Sequence, residues 1–199
     1  MDAGEDSCIV SNGFSDEERS TVGQLYWGAF GGKLSAAFAD PATGEAVVSQ
    51  SLRPDRVITA RQGGQVVGLC GFYDSGIGAA DVTWPRLRAR LPRGRALWAS
   101  GALSILRRHD VPDTMVLDGL CVAPGLRGQG VGSLLLEAVV HRARARDLAG
   151  VQLSVIDANP RAAQLYRRHG FRPVHHATLG PLRHLFGFDG YTTMRKEIA

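Results

Sequence analysis

The sequence predicts a mixed α/β fold in which helices flank a central β-sheet. Two apolar runs over 57–72 meet at Gly63 and Gly64, which predicts two antiparallel strands joined by a tight turn. Further along, a strand, helix, strand order over 115–156 predicts a parallel crossover. Because 199 residues with 44% hydrophobic content can bury one core, we expect a single domain over 1–199.

The segment before the hairpin is predicted to begin with a strand and to continue as helix. Residues 8–10 are apolar and are assigned to the strand. Ser15 and Glu18 have the spacing of a capping box, which predicts the start of a helix. We expect that helix to end at the glycine pair 31–32 and a short second helix to follow over 34–38.

Between the third and fourth predicted strands, residues 76–113 have a helical, arginine-rich pattern. We interpret this segment as a helical insert within the domain. Its main helix is expected to end near His109. The buried face of that helix is predicted to consist of Trp98, Ala102, Ile105 and Leu106.

The last third of the chain alternates strands and helices. It is predicted to hold a strand over 115–122, a helix over 131–147 and a strand over 151–156. Asn159, Pro160 and Gly170 then have the positions of an N-cap, a first helical residue and a glycine just past a helix end. Two closing strands are expected over 171–174 and 191–196.

Composition excludes several classes of protein. No apolar run reaches the roughly 18 residues of a membrane span, and the first residues are acidic where a signal peptide is basic, so we expect a cytoplasmic protein without membrane contact. The three cysteines form no C-x-x-C pair, and the histidines lack metal-ligand spacing, so no metal site is expected. Buried free thiols are the preferred interpretation of the cysteines.

The net charge of +4 is almost wholly due to guanidinium groups, because only Lys33 and Lys196 are lysines. Five arginines crowd into one stretch: Arg86, Arg88, Arg90, Arg93 and Arg95. A nucleic-acid patch would need aromatic stacking partners or a known motif, and only Trp84 and Trp98 flank the cluster. A solvated helix face is therefore preferred over nucleic-acid binding.

The most informative stretch leaves a strand, makes a glycine-rich turn and opens a helix over 120–132. Glycines at 128, 130 and 132 would let backbone N–H groups approach an anion at the helix start, and Arg127 would add charge. A tight connection without a ligand explains the same glycines. The spacing is not that of a Rossmann fingerprint, and no Gly-Lys-Ser/Thr follows, which excludes a P-loop.

Two motifs in order, over about 115–174, resemble the GNAT superfamily of N-acetyltransferases. They are Arg127-x-x-Gly130-x-Gly132 after a strand and Asn159-x-x-Ala162-x-x-Leu165-Tyr166-x-x-x-Gly170-Phe171. The resemblance implies a mostly antiparallel sheet that splays between the fourth and fifth strands, with acetyl-CoA bound in the split. The helical insert departs from this pattern, because the family usually has a short turn there.

The resemblance also implies roles for individual residues. The pantetheine arm would run along Leu120, Cys121 and Val122. The pyrophosphate would be held by Arg127, Gly128, Gln129, Gly130, Val131 and Gly132. Asn159 would contact the cofactor and Tyr166 would lie near its sulfur, although an N-cap and a core aromatic are complete structural explanations for these two residues.

Proton transfer requires two further assignments. A primary amine is mostly protonated at neutral pH, so a base is expected. Asp118 is the candidate, at a strand position where several family members carry Glu; an exposed or capped strand acid is the alternative. Tyr166 would protonate the leaving thiolate, and the Val122 N–H would stabilise charge on the thioester oxygen. Cys121 is interpreted as a packing residue because no covalent intermediate is needed.

Three functions remain open at this point. The preferred one is an N-acetyltransferase that uses acetyl-CoA to modify a primary amine of a small molecule or protein. The alternatives are a non-catalytic acyl-CoA-binding or sensor module of the same fold and an arginine-rich nucleic-acid-binding protein. The insert would form a lid, a specificity element or a homodimer contact, or would serve packing alone.

Overall fold

A computed structural model describes residues 7–38, 40–106 and 110–198. It contains a seven-stranded sheet in the order β1-β2-β3-β4-β5-β7-β6. The strands are β1 (Ile9–Asn12), β2 (Val57–Gln62), β3 (Gln65–Phe72), β4 (Thr114–Val122), β5 (Gly150–Ile156), β6 (Arg172–Thr178) and β7 (Gly190–Glu197). Only β4 and β5 are parallel; the other neighbours are antiparallel, which confirms the mixed, mostly antiparallel sheet.

Helices cover both faces of this sheet. They are α1 (Arg19–Leu34), α2 (Pro41–Ser51), α3 (Trp84–Arg90), α4 (Arg93–Leu106), α5 (Val131–Arg144), α6 (Pro160–Arg168) and the single turn α7 (Arg183–Phe186). In the parts of the chain that the structure describes, no helix is both long enough and apolar enough to cross a bilayer.

The parallel strands separate soon after they meet. Thr114, Met115 and Val116 of β4 pair with 150–152 of β5, and the register stops there. The following residues of β4 pair only with β3, while the rest of β5 pairs with β7. The sheet therefore splays between β4 and β5, as the family resemblance implied, and one edge of β4 is left without a strand partner.

Two hydrophobic clusters pack on opposite faces of the sheet. Val57 and Leu69 belong to the cluster beneath α1, α2 and the insert helices, whereas their neighbours Ile58 and Cys70 belong to the cluster beneath α5 and α6. This alternation is the period-two pattern of a strand that is buried on both sides. Helices therefore cover both faces of the sheet at β2 and β3.

The predictions for the first helices were partly wrong. The helix α1 begins at Arg19 and continues through Gly31 and Gly32 to Leu34. A Cβ at Gly31 would lie 2.9 Å from the Trp27 ring, so this glycine permits close packing inside the helix and does not end it. The expected helix over 34–38 is a single 3-10 turn, Ser35–Ala37.

The buried face of α4 also differs from the prediction. Ala102 is buried as expected, but Trp98 is 48% exposed and Ile105 51% exposed. The buried face consists of Ala96, Ala99 and Ala102, whose small side chains allow close packing. The predicted end of this helix near His109 and the side chain of Leu106 lie outside the described residues.

Three arginines of the cluster in the insert have structural partners. Arg86, Arg88 and Arg95 donate hydrogen bonds to the backbone carbonyls of Asp81, Leu91 and Phe38, respectively. These bonds tie the insert helices to their own loops and to the segment after α1. These three arginines therefore do more than form the solvent-exposed helix face that was expected for the cluster.

The capping box before α1 is present and is tied to the sheet. Ser15 N–H donates to Glu18 at 2.8 Å, and the Glu18 N–H donates to the Ser15 hydroxyl at 3.3 Å. The Glu18 carboxylate also accepts two bonds from Arg61 of β2, at 2.7 and 2.8 Å. The Arg61 guanidinium, followed by the Ser15 N–H, lowers the pKa of Glu18 from 4.5 to about 2.

This pairing predicts a pH-dependent contribution to stability. Because the folded pKa lies below the unfolded one, the contribution is complete above pH 4.5 and is lost as the pH falls towards 2. We expect Glu18→Gln to lower the free energy of unfolding at neutral pH by about 1–2 kcal/mol. In urea denaturation the difference from wild type should shrink at acidic pH. Glu17→Gln, at an exposed neighbour, is the control, and a difference for Glu18→Gln that does not change with pH would contradict the assignment.

Candidate functional site

A glycine-rich loop joins β4 to α5 at the molecular surface. Gly128 and Gly130 have φ angles of +84° and +88°, a conformation that residues with a side chain rarely adopt. The space that a Cβ would occupy at either position is empty, and residues 127–130 are exposed. The loop therefore presents its backbone to any ligand above it.

The first turn of α5 has backbone donors to offer. Gly130 precedes the helix and supplies no side-chain cap. Among the described residues, no backbone carbonyl accepts from the N–H groups of Gly130, Val131 or Gly132, as expected for the start of a helix. These donors, with the positive end of the helix dipole, make a site for an anion.

Two side chains of the loop donate hydrogen bonds to backbone carbonyls of the same segment. Gln129 donates from Nε2 to the carbonyl of Gly125 at 3.0 Å, and Arg127 donates from Nε to the carbonyl of Val122 at 3.2 Å. The Arg127 side chain is therefore folded back towards the end of β4. Its charge stays at the exposed surface of the loop.

Gly132 is where the predicted cofactor segments converge. A Cβ there would lie 3.1 Å from Leu165 of α6, 3.8 Å from Leu120 and 4.0 Å from Val122. The third glycine thus has a packing role, which lets α6 and the end of β4 approach the start of α5. Residues distant in sequence are thereby brought to one place.

The edge of β4 that faces the split carries backbone hydrogen-bonding groups. The Ala123 N–H donates to Val67 O at 2.8 Å, on the β3 side. Since backbone groups alternate along a strand, the N–H and C=O groups of Leu120 and Val122 point away from β3 and towards the split. The Cys121 side chain is buried in the cluster beneath α1 and α2.

Asn159, which precedes α6, and Tyr166, which lies in it, have clear structural roles. Asn159 Oδ1 accepts from the Ala162 N–H at 3.1 Å, so the predicted N-cap is confirmed. The Tyr166 ring is 7% exposed, and its centroid lies 6.0 Å from that of Phe171 in the core between the sheet and α5. Leu165 of α6 lies against Gly132 in the first turn of α5.

Asp118 occupies a β-bulge. Gly71 of β3 pairs with Gly119, but Phe72 pairs with Leu117, so Asp118 is an extra residue in β4. A bulge redirects side chains, and here the carboxylate turns towards α1. Its Oδ2 accepts from the Ala79 N–H at 3.0 Å and, over a longer 3.5 Å, from the Tyr26 hydroxyl.

A cavity of about 370 Å³ opens beside Asp118. Tyr26 and Lys33 of α1, Val48 of α2, and Ser100 and Leu103 of α4 contribute to its walls, together with the segment 73–84 that follows β3. The helical insert is therefore part of this cavity. The glycine-rich loop is on the α5 side of β4, and the cavity is on the α1 side.

Sequence reasoning missed several parts of this arrangement. The helix α2 was not predicted, although Asp40 accepts from the Thr43 N–H at 2.8 Å as an N-cap and Pro41 follows it. That pattern is visible in the sequence. Nothing local to the sequence indicates the bulge at Asp118 or brings Lys33 near it, because both depend on contacts between distant segments.

Comparison with known proteins identifies a family. Residues 21–171 match the sequence profile of the acetyltransferase (GNAT) family. A thialysine N-epsilon-acetyltransferase of the pig, Sus scrofa, is 28% identical over 99 residues, which is 50% of this chain and 56% of the pig protein. The chain thus matches only about half the length of that relative.

Solved structures of similar fold cover nearly the whole chain. A GCN5-related N-acetyltransferase from Kribbella flavida has a TM-score of 0.62 with 18% identity, over 96% of this chain and 98% of that one. A ribosomal-protein-alanine N-acetyltransferase from Brucella melitensis has a TM-score of 0.56 with 17% identity, over 96% and 99%. At such low identity, these likenesses establish the fold alone.

The surroundings of the cysteines predict their reactivity. Burial raises the pKa of the Cys121 thiol to about 12 and also raises the pKa of the buried Cys70 thiol. Burial raises the pKa of the Cys8 thiol as well, but this side chain is only half-buried. Because the thiolate is the reactive form and the reagent has to reach it, we expect iodoacetamide near neutral pH to label Cys8 at least about tenfold faster than Cys70 or Cys121 in the folded protein.

Mass spectrometry of proteolytic fragments measures the labelling of each thiol. Brief labelling in denaturant provides the control, since all three thiols should then react alike. Rapid modification of Cys121 in the folded protein would contradict its assignment as a packing residue.

Proposed function

Because this chain belongs to the acetyltransferase (GNAT) family, we propose that it transfers an acetyl group from acetyl-CoA to a primary amine of a small molecule or protein. The observation that carries the proposal concerns one strand, β4, which has an open edge at the split, leads into the loop with exposed backbone donors, and contributes Asp118 to the wall of a cavity. The names of the pig and Brucella relatives specify acetylation at nitrogen.

The residues present fit acetyl-CoA. Its pyrophosphate would be held by the loop 128–132, through the N–H groups of Gly128, Gly130, Val131 and Gly132; a Cβ at Gly128 or Gly130 would fill open space there. Leu120 and Val122 would bind the pantetheine arm through backbone groups, as an added strand would. The Asn159 side-chain amide would make a further contact beside α6. Acetyl-CoA supplies the acetyl group and a thiol leaving group.

Asp118 is proposed to help remove a proton from the acceptor amine. At neutral pH an alkylamine with a pKa near 10.4 pays about 4.6 kcal/mol to become the neutral nucleophile. The carboxylate is fixed by the Ala79 N–H and the Tyr26 hydroxyl and lies in the cavity wall. Because Asp is shorter than Glu, transfer through a bound water is proposed.

Two further groups, one on β4 and one on α6, are proposed to complete the reaction. The Val122 N–H points towards the split and would stabilise negative charge that develops on the thioester oxygen. The Tyr166 hydroxyl would donate a proton to the departing thiolate. Tyr166 belongs to α6, whose Leu165 lies against the start of α5.

The proposal is tested by release of free CoA thiol when the protein, acetyl-CoA and a panel of primary amines are mixed. We expect turnover with some amines, and Gly130→Val should weaken acetyl-CoA binding by about tenfold or more, because a branched side chain would fill the phosphate position. Binding is measured by calorimetry and by thermal stabilisation.

Gly64→Val is the matched control for Gly130→Val. Gly64 has a φ of +77° and open space around it, and it lies in the turn between β2 and β3. It carries the same backbone strain away from the loop and should retain acetyl-CoA affinity. Equal affinity of folded Gly130→Val and wild type would remove the loop assignment, and stabilisation by acetyl-CoA without any turnover would favour a non-catalytic acyl-CoA-binding protein.

The proposed acid role of Tyr166 predicts a separation of turnover from binding. Tyr166→Phe keeps the ring that packs near Phe171 and removes only the hydroxyl. We expect kcat to fall by about 10²-fold, while the Kd for acetyl-CoA changes little. Steady-state kinetics and calorimetry on the same preparation measure both quantities, and an undiminished kcat would exclude Tyr166 as the acid.

A further inference from the structure

We propose, on the basis of the acetyl transfer proposed above, that the acceptor is a small amine that also carries a carboxylate, and that Lys33 binds this carboxylate. The amine would lie at the Asp118 end of the cavity and the carboxylate at the Lys33 end. Both residues contribute to the walls of the same cavity of about 370 Å³. This volume is at the lower end of the range for small-molecule sites.

One stripe of α1 connects the two ends of the cavity. Tyr26, Phe30 and Lys33 are spaced four and then three residues apart, so they share one face of the helix. The Tyr26 hydroxyl donates to Asp118 Oδ2 at 3.5 Å. The Phe30 ring lies against Gly119, where a Cβ would clash with it. The stripe therefore extends from the bulge outward to Lys33.

The Lys33 ammonium contacts an aromatic ring. Its Nζ lies 4.6 Å from the centroid of the Phe30 ring, a cation–π arrangement. An ammonium is compact and has three donors on a flexible stem, which suits a single carboxylate in a small cavity. The other 22 basic residues include just one further lysine, Lys196, which donates to the His169 carbonyl elsewhere.

The cavity wall carries charges of both signs. Of the described residues that contribute to it, Lys33 is the sole cation, and Asp81 and Asp118 are the acids. Arg53 lies 3.8 Å from the Asp81 carboxylate and partly balances it. A diamine placed with one nitrogen at Asp118 would bring its second positive charge towards Lys33, which is unfavourable. A carboxylate at that end of the ligand would be attracted instead.

Contacts along α1 give a scale for the acceptor. The Lys33 Nζ lies 4.6 Å from the centroid of the Phe30 ring, and that centroid lies 4.7 Å from the centroid of the Tyr26 ring, whose hydroxyl donates to Asp118. One aromatic ring therefore stands between Lys33 and the Tyr26–Asp118 pair, and a flexible ω-amino acid such as 6-aminohexanoate suits this separation.

Three acceptors of one length test the proposal: 6-aminohexanoate, hexylamine and 1,6-diaminohexane. They end in a carboxylate, a methyl group and an ammonium, respectively, opposite the reacting amine. For the wild-type protein we expect kcat/KM for CoA-thiol release to be about tenfold higher with 6-aminohexanoate than with hexylamine, and lowest with the diamine. The expected difference is mainly in KM, because Lys33 does not touch the reacting atoms.

Variants at Lys33 should change this order. Lys33→Gln should remove the preference for the carboxylate, and Lys33→Glu should reverse it in favour of the diamine. Arg93→Gln removes the same charge at an exposed position of the insert outside the cavity wall, so it should keep the wild-type order. Circular dichroism melting confirms that each variant is folded, and Lys33→Gln decides the question if Lys33→Glu does not fold.

Calorimetry separates this inference from the proposed function. In protein saturated with CoA, 6-aminohexanoate should bind about tenfold more tightly than hexylamine, and Lys33→Gln should abolish the difference. Equal affinities or equal kcat/KM values in wild type would overturn the role of Lys33 even if amines are acetylated. Absence of turnover with every amine would refute the acetyl transfer, while the calorimetric comparison would still support or reject the carboxylate site.

Discussion

The structure depends on the early separation of β4 from β5. After three paired positions the two strands diverge, and the backbone groups of β4 on that side lose the partners that a continuous sheet would provide. Unpaired backbone groups are costly when they are also removed from water. Here Leu120 and Val122 are only half-buried. The Val122 carbonyl accepts from Arg127, and water or an extended ligand with amide groups can satisfy the other backbone groups on this edge.

The bulge at Asp118 lets β4 place a carboxylate beside the cavity in addition to its open edge at the split. One extra residue in β4 turns the carboxylate towards α1, while the alternation that continues after it keeps the backbone of Leu120 and Val122 directed at the split. Gly119 has no side chain, so Phe30 can lie against the strand at that point. The bulge, the glycine and the aromatic ring therefore form one unit that places a charged group beside a cavity and next to an open strand edge.

How far the sequence predicts this arrangement depends on the range of the forces involved. The loop at Gly128 and Gly130 and the cap at Asn159 were predicted, because backbone conformation and capping are decided within a few residues. The end of α1 at Gly31 was predicted wrongly, since the cost of about 1 kcal/mol for glycine in a helix is offset by packing against Trp27. The splay was expected only through family resemblance, and the bulge was not expected at all.

The proposed cofactor and acceptor sites differ in how far the sequence predicts them, and the reason is again the range of the contacts involved. The loop that would hold the cofactor is continuous in sequence, and its donors come from the backbone, so a short motif is enough to indicate it. The cavity for the acceptor combines side chains of α1, α2, β4 and the insert, which no local pattern connects. Its proposed chemistry follows from Asp118 of β4 and Lys33 of α1, which both contribute to the wall of this cavity. If this cavity holds the acceptor, as proposed, substitutions of its lining residues can change the acceptor without changing the loop at the start of α5.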